Sequence, residues 1–397
     1  VIGKALGLGC VGRILCVLSA AVWLGAGSAP ISAPSMAWAA LAPVDASPLG
    51  DRTPLLLIHG NGSEDRKDFG WTEYLARAGA DAELSALYKT YLFDYDSKQR
   101  NLINGVALGD ALASVPELAG RDVVMLAHSR GGVVARYMMN LYALPDGRPA
   151  GERVRALVTL GTPHRGSPGA DPVLTLYTLD HQYDGETLPF LTRFYDSIHK
   201  TDTDLYLLWD DADNRLTQDV VCWDHGTAGE ICQAPYSKFS DIRHLNRIER
   251  YRDRIYAYGA NVYNGRPVGE DDLDEITDDF DEWVSHEALG ITSILMGQMV
   301  VIPQGYPEVP LDDSYRPFRA NDGLVHLASA LFLKAGSYGL FSIDGEANVH
   351  YDPAALDDFC QIARCRVLAG RVDHLELLDN GDHVVNYMLE ELKALVR

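Results

Sequence analysis

The stretch Val123-Val124-Met125-Leu126-Ala127-His128-Ser129-Arg130-Gly131-Gly132 decides how this chain is read. Asp122 to Leu126 is an apolar run of strand length, and Gly132 to Leu144 has helical spacing. Between them lies a turn with Ser129 at its apex and the small residues Ala127 and Gly131 on either side. Small neighbours have a physical reason: a strand that feeds directly into a helix brings two backbones close, and a strained apex tolerates little bulk beside it. The segment therefore predicts a serine presented at the carboxyl end of a sheet.

The same alternation continues in both directions. Pro54-Leu55-Leu56-Leu57-Ile58 reads as a strand ending at His59-Gly60, Trp71 to Ala78 as a helix, Tyr91-Leu92-Phe93 as a strand and Val106 to Val115 as a helix. Beyond the serine, Val154 to Leu160, Arg254 to Val262 and Arg366-Val367-Leu368 read as further strands, and Asp382 to Val396 as a closing helix. Uninterrupted apolar strands joined by helices predict an α/β fold, a mostly parallel central sheet covered by helices on both faces.

The rhythm breaks between about 167 and 250, a stretch rich in Asp, Tyr and Thr that reads as an insertion capping the sheet. Its apolar residues, among them Leu174, Leu179, Phe190, Phe194 and Trp209, fit either a lid over a pocket or a small core of their own. Ile291 to Ile302 carries the same two readings. The acidic run Glu270 to Glu282 has Leu273, Ile276 and Phe280 at helical spacing and reads as a solvated helix. It lacks the glycine that a calcium-loop turn needs.

At the start, Lys4 and Arg13 are followed by a short apolar run, Ile14 to Ala26, and by Ala37-Trp38-Ala39 before Ala40. That is the layout of a secretory signal peptide over 1–39, which leaves 40–397 as one domain with its cap. The apolar run is short for an uncleaved anchor, so no stable membrane anchor is expected after cleavage. Cleavage would leave Cys222, Cys232, Cys360 and Cys365, and an even number in an exported chain predicts disulfides. Three pairings are possible; Cys222–Cys232 with Cys360–Cys365 is the simplest. The 397 residues hold 34 basic and 56 acidic side chains, a formal charge of −22. A nucleic-acid partner is excluded on that balance, since neutralising phosphates takes a basic surface. Docking on anionic lipid is disfavoured for the same reason.

Four separated segments resemble the α/β-hydrolase fold, and within it secreted bacterial lipases and esterases of the triacylglycerol lipase type. Leu57-Ile58-His59-Gly60-Asn61-Gly62 looks like their His-Gly loop, and Ala127-His128-Ser129-Arg130-Gly131-Gly132 like the nucleophile elbow of members with Ala in first place. Leu160-Gly161-Thr162-Pro163-His164-Arg165-Gly166-Ser167 resembles a segment common in that group, and Asn321-Asp322-Gly323-Leu324-Val325 its acid-bearing loop. The resemblance implies a Ser–Asp–His triad in chain order: Ser129 as nucleophile, Asp322 as acid, with Asp344 as the fallback, and His374 as base in preference to His383. It implies an oxyanion hole made by the backbone N–H groups of Asn61 and Arg130. His59 and His164 are expected to hold loops, and His128 to pack beside the serine.

The activity so implied is hydrolysis of carboxylic esters through an acyl-enzyme, with an ester or lipid as substrate and the protein secreted or periplasmic. This chemistry needs no metal or organic cofactor; a structural calcium, which some similar lipases carry, stays open. Three other readings share the fold, one of them a binding module that kept the fold without the catalysis. His-Gly-Asn-Gly with Ala-His-Ser also resembles extracellular polyester depolymerases of the polyhydroxyalkanoate type, and an acyltransferase would use the same acyl-enzyme.

Overall fold

The computed structural model describes residues 39–61, 63, 66–97, 99–167, 220–224, 230–233, 241–265, 286–297, 299–302, 318–334, 337 and 339–397. The leader reading, the acidic run 270–282 and the apolar cap residues named above lie outside them. In chain order the strands are β1 Ala40–Pro43, β2 Thr53–Ile58, β3 Tyr88–Asp94, β4 Val123–His128, β5 Val154–Leu160, β6 Val220–Asp224, β7 Glu230–Gln233, β8 Ile255–Asn261, β9 Met299–Ile302, β10 Ser342–Ile343, β11 Val349–His350 and β12 Arg364–Arg371. The helices are α1 Thr72–Ala80, α2 Ala82–Leu87, α3 Asn101–Ser114, α4 Arg130–Leu141, α5 Asp241–Ile248, α6 His286–Gly297, α7 Leu327–Ala330, α8 Pro353–Phe359, α9 Glu376–Asp379 and α10 Asn386–Ala394.

Seven strands form the main sheet in the order β1-β3-β2-β4-β5-β8-β12. All are parallel except β1, which runs antiparallel along β3. Alternate residues of one strand go to opposite faces, and both faces are buried. Leu55, Leu57, Val124, Leu126, Ala156 and Val158 share a core with Trp71, Leu84, Leu377, Met388 and Leu392, which come from the helical side of α1, α2, α9 and α10. Leu56, Ile58, Met125 and Ala127 on the opposite face are at most 1% exposed. Each such Leu or Ile contributes about 1.5–3 kcal/mol by leaving water.

The order of the strands places the functional end. From β2 the chain crosses to β3 on one side, and from β4 it crosses to β5 on the other, yet β2 and β4 are neighbours. Where adjacent strands send their connections in opposite directions, a crevice opens beyond their carboxyl ends. Those ends are His59-Gly60-Asn61 and Ser129.

The stretch read as an insertion contains regular structure. β6 pairs with β7 and with β9, all antiparallel, giving a second, three-stranded sheet. β9 comes from the apolar run Ile291–Ile302, whose other part is α6, so that run is shared between a helix and this small sheet. Their pairing spans many residues of chain, a long-range contact that local periodicity does not announce. In the β6–β7 register Cys222 stands opposite Cys232; their side chains lie outside the described residues. Cys360 and Cys365 form a disulfide at the start of β12. Glu249, the residue after α5, is tied to α4 by a wholly buried ion pair in which Arg136 Nε donates to Glu249 Oε2 at 2.8 Å. Among the described residues no helix is long and apolar enough to cross a membrane.

Candidate active site

Ser129 stands between β4 and α4 with φ 51° and ψ −129°, a backbone conformation that a residue with a side chain seldom adopts. Hydrogen bonds hold it there. Its N–H donates to Leu160 O at 2.8 Å, and its carbonyl accepts from Gly132 N at 3.1 Å and from Thr162 Oγ1 at 2.8 Å. Thr162, in the Gly-Thr-Pro-His string, is thus a support of the turn that sequence reading did not single out. The smallness of the surrounding residues follows from close approach. A Cβ on Gly131 would stand 2.4 Å from His59 O, and one on Gly60 would stand 2.8 Å from Ser129 Cβ. A mostly parallel sheet buried on both faces, with a strained serine between its β4 strand and α4 helix, is the architecture the sequence led us to expect. This is the α/β-hydrolase fold.

Asp322 and His374, 52 residues apart, meet at the carboxyl end of the sheet: His374 Nδ1 lies 2.8 Å from Asp322 Oδ2, and both side chains are buried. The Asp322 loop hangs from the end of β8, where Val262 N donates to Asn321 O. Asn321 shapes the turn by donating from Nδ2 to Phe318 O and accepting from Gly323 N. Asp322 Oδ1 accepts from Leu324 N at 3.0 Å and Val325 N at 2.7 Å, so both carboxylate oxygens are occupied. His374 N donates to Asp322 O at 2.9 Å, which ties the two residues through the main chain as well. The end of β5 abuts the pair, since a Cβ on Gly161 would lie 3.0 Å from Asp322 Oδ2 and 3.1 Å from His374 Cε1.

A carboxylate can only accept, so Nδ1 of His374 carries the proton and Nε2 presents a lone pair. Nε2 is buried and has no hydrogen-bond partner. No hydrogen bond therefore joins it to Ser129 Oγ.

The other candidates fall elsewhere. His383 is exposed in the turn Gly381–Val385 before α10. Asp344 accepts from His350 Nε2 at 2.8 Å in the β10–β11 hairpin, which holds its carboxyl well below the usual range. His128 is buried and donates from Nε2 to His374 O at 2.9 Å; burial pushes its imidazole well below the ordinary histidine range, so it stays neutral. His164 engages Thr159 Oγ1 and Arg136 Nη1 with its two nitrogens and stacks on Phe332. His59 stacks on Tyr95, and its Nδ1 lies 2.8 Å from Gly60 O. Asn61 stands in the turn after β2, and Arg130 opens α4, where a helix presents N–H groups with no carbonyl of its own turn to bond.

Sequence reading also missed His286, the first residue of α6. Its Nδ1 meets Asp373 Oδ2 next to His374, and its pKa is pushed up to about 10, first by that hydrogen bond and next by Asp379. Asp373 Oδ1 in turn accepts from Leu375 N and Glu376 N, which fixes the loop that carries His374. Among the described residues no group of three or more His, Cys, Asp or Glu is arranged to hold a metal ion.

Residues 32–182 match a family model described as a domain of unknown function (DUF7379). Among solved structures the chain is similar to EstA from Clostridium botulinum, at 13% identity, 87% of each chain covered and a TM-score of 0.47. It is similar to Bacillus licheniformis lipase BlEst2 in mature form, at 15% identity, 90% of this chain and 98% of that one covered and a TM-score of 0.43. It is also similar to Staphylococcus hyicus lipase, at 15% identity, 88% and 98% coverage and a TM-score of 0.41.

Proposed function

We propose that this chain is a serine carboxylic-ester hydrolase of the lipase or esterase kind, working through an acyl-enzyme on Ser129. The observation that carries the reading is the buried His374, with Nδ1 on Asp322 and Nε2 without a partner, packed against His128, the residue before Ser129. A serine hydroxyl is scarcely nucleophilic until a base takes its proton. His374 Nε2 takes that proton as Ser129 Oγ attacks the ester carbonyl. The imidazolium so formed is stabilised by Asp322 and returns the proton to the leaving alcohol. The backbone N–H groups of Asn61 and Arg130 receive the charge on the tetrahedral oxygen. Water, activated in its turn by His374, releases the acid and restores the serine.

Every step is carried by side chains and amides of this chain, so the reaction as written draws on no cofactor. The substrate is an ester or lipid. The protein works outside the cytoplasm, a placement supported by the Cys360–Cys365 disulfide.

A fluorophosphonate probe is the direct test: the wild type should be labelled at one site and Ser129→Ala not at all. An unlabelled wild type would sink the hydrolase reading. A p-nitrophenyl ester series, emulsified triglyceride and a polyester film then sort the substrates. Turnover of short soluble esters alone rules out a true lipase, film clearance favours a depolymerase, and transfer to added alcohols favours an acyltransferase.

A further inference from the structure

Arg130 is wholly buried. A guanidinium leaves water at a cost of several kcal/mol unless its donors are met, and here they are met by one neighbourhood. Nε donates to Asn101 Oδ1 at 2.6 Å, Nη1 to Ser97 O at 2.6 Å and to Asn61 Oδ1 at 3.2 Å, and Nη2 to Gln99 O at 2.7 Å. Asn61 belongs to the turn after β2, and Ser97, Gln99 and Asn101 to the segment that leads from β3 into α3. One planar fork thus ties two loops to the residue that follows the serine.

We propose that the Arg130 side chain is a positioning residue for the oxyanion hole. Through its main chain Arg130 supplies one donor; through its guanidinium it holds Asn61, whose main chain supplies the other. The inference rests on the hydrolase reading above and assigns to Arg130 a part that its backbone alone does not have. Donors to a developing oxyanion help only when they are fixed before the charge appears. Asn61 is fixed from two directions: Gly60 lies against Ser129 at the distance that excludes a Cβ, and the guanidinium grips the Asn61 amide. Lysine cannot replace this arrangement, because a single ammonium with three donors does not reach four acceptors spread around three guanidinium nitrogens.

The test uses Arg130→Lys, Asn61→Ala and the double variant in the full chain. The readouts are kcat and KM on a soluble p-nitrophenyl ester, affinity for a trifluoromethyl ketone that forms a tetrahedral adduct with the serine, and thermal unfolding. Asn61→Ala keeps the backbone N–H and removes only the grip. Each single variant is expected to lower kcat by roughly 10- to 100-fold, below the 10²–10³ of a donor removed outright. KM should move less than about twofold, and ketone affinity should fall in step with kcat. The double variant should be no worse than Arg130→Lys alone, the non-additivity of two residues acting through one contact. Multiplying losses, or a folded Arg130→Lys with wild-type kcat and ketone affinity, would overturn the inference. Should Arg130→Lys fail to fold, Asn61→Ala decides: unchanged kcat and ketone affinity overturn the inference, and a parallel loss of both supports it. A wild type that neither turns over ester nor takes the fluorophosphonate defeats the hydrolase reading itself. A labelled wild type with a normal Asn61→Ala defeats only the role given to Arg130.

Discussion

On the serine side of the crevice, the contacts described above come from the ends of β2 and β5, the first turn of α4 and the segment after β3. Ser129 is held by Leu160 and Thr162, Gly60 presses on Ser129, and the one charged group involved, Arg130, is sealed from water. On the histidine side the holding groups come mostly from irregular loops and from α6, with His128 at the end of β4 as the one contribution from the sheet described above. Asp322 is shaped by backbone amides, and His374 is braced by His128 and, through Asp373, by His286, whose side chain is 53% exposed. The first side is a product of sheet packing and should respond little to pH or salt. The second depends on a half-exposed ion pair and should respond to both.

The largest effects should come from the reacting groups, one on each side. Ser129→Ala and His374→Ala are expected to lower kcat by roughly 10³- to 10⁶-fold with each other's residual rate. A double variant far slower than either single one would break the picture of a single unit. Next, Gly60→Ala places a carbon 2.8 Å from Ser129 Cβ and 3.0 Å from His128 Nδ1. It should cost about 1–3 kcal/mol in urea unfolding and lower kcat by roughly 10²-fold; wild-type values for both would show that the serine side yields more than supposed.

His128→Leu leaves the buried carbonyl of His374 without its donor, a loss of about 1–3 kcal/mol. Because burial keeps His128 neutral, that loss should be the same at pH 6 and pH 8. A pH-dependent loss would mean that the imidazole is charged. The smallest effect should be His286→Ala. A histidine whose pKa is raised on folding stabilises fully below its unfolded value near 6.5, and the contribution fades as pH climbs through about 10. With half its surface in water, the pair is worth no more than about 1 kcal/mol. The wild type should therefore lose a little thermal stability between pH 6.5 and 10 relative to His286→Ala, and less so in high salt; parallel curves would remove the contrast between the two sides.

The main sheet was legible because its strands are buried on both faces and so form unbroken apolar runs. Val154 to Leu160 was bounded correctly at both ends, while the strand order that opens the β2–β4 crevice came only with the structure. Strand β1 was not legible: Ala40–Pro43 is a short edge strand ending in proline, with little apolar surface to announce it. Nor were β6, β7 and β9, whose pairing joins segments far apart in the chain. Asp322 and His374 were named from motif and order, and the structure makes them neighbours. Arg130 was read for its main chain alone, although a charged residue in a segment otherwise apolar or small was a visible signal that something must receive its five N–H groups. His286 had no such signal, since its partner lies 87 residues away.

The double tie between His374 and Asp322 has an entropic consequence. The imidazole is hydrogen-bonded by its ring to the carboxylate and by its own N–H to the same residue's carbonyl, while its carbonyl is claimed by His128. Main chain and ring are thus both immobilised before any ligand arrives. Freezing a backbone and a side chain costs on the order of 1–3 kcal/mol, and here that cost is met when the protein folds. Under the proposed reaction, an ester would meet a base with no rotational freedom left to lose, and its binding energy could go to orienting its own carbonyl.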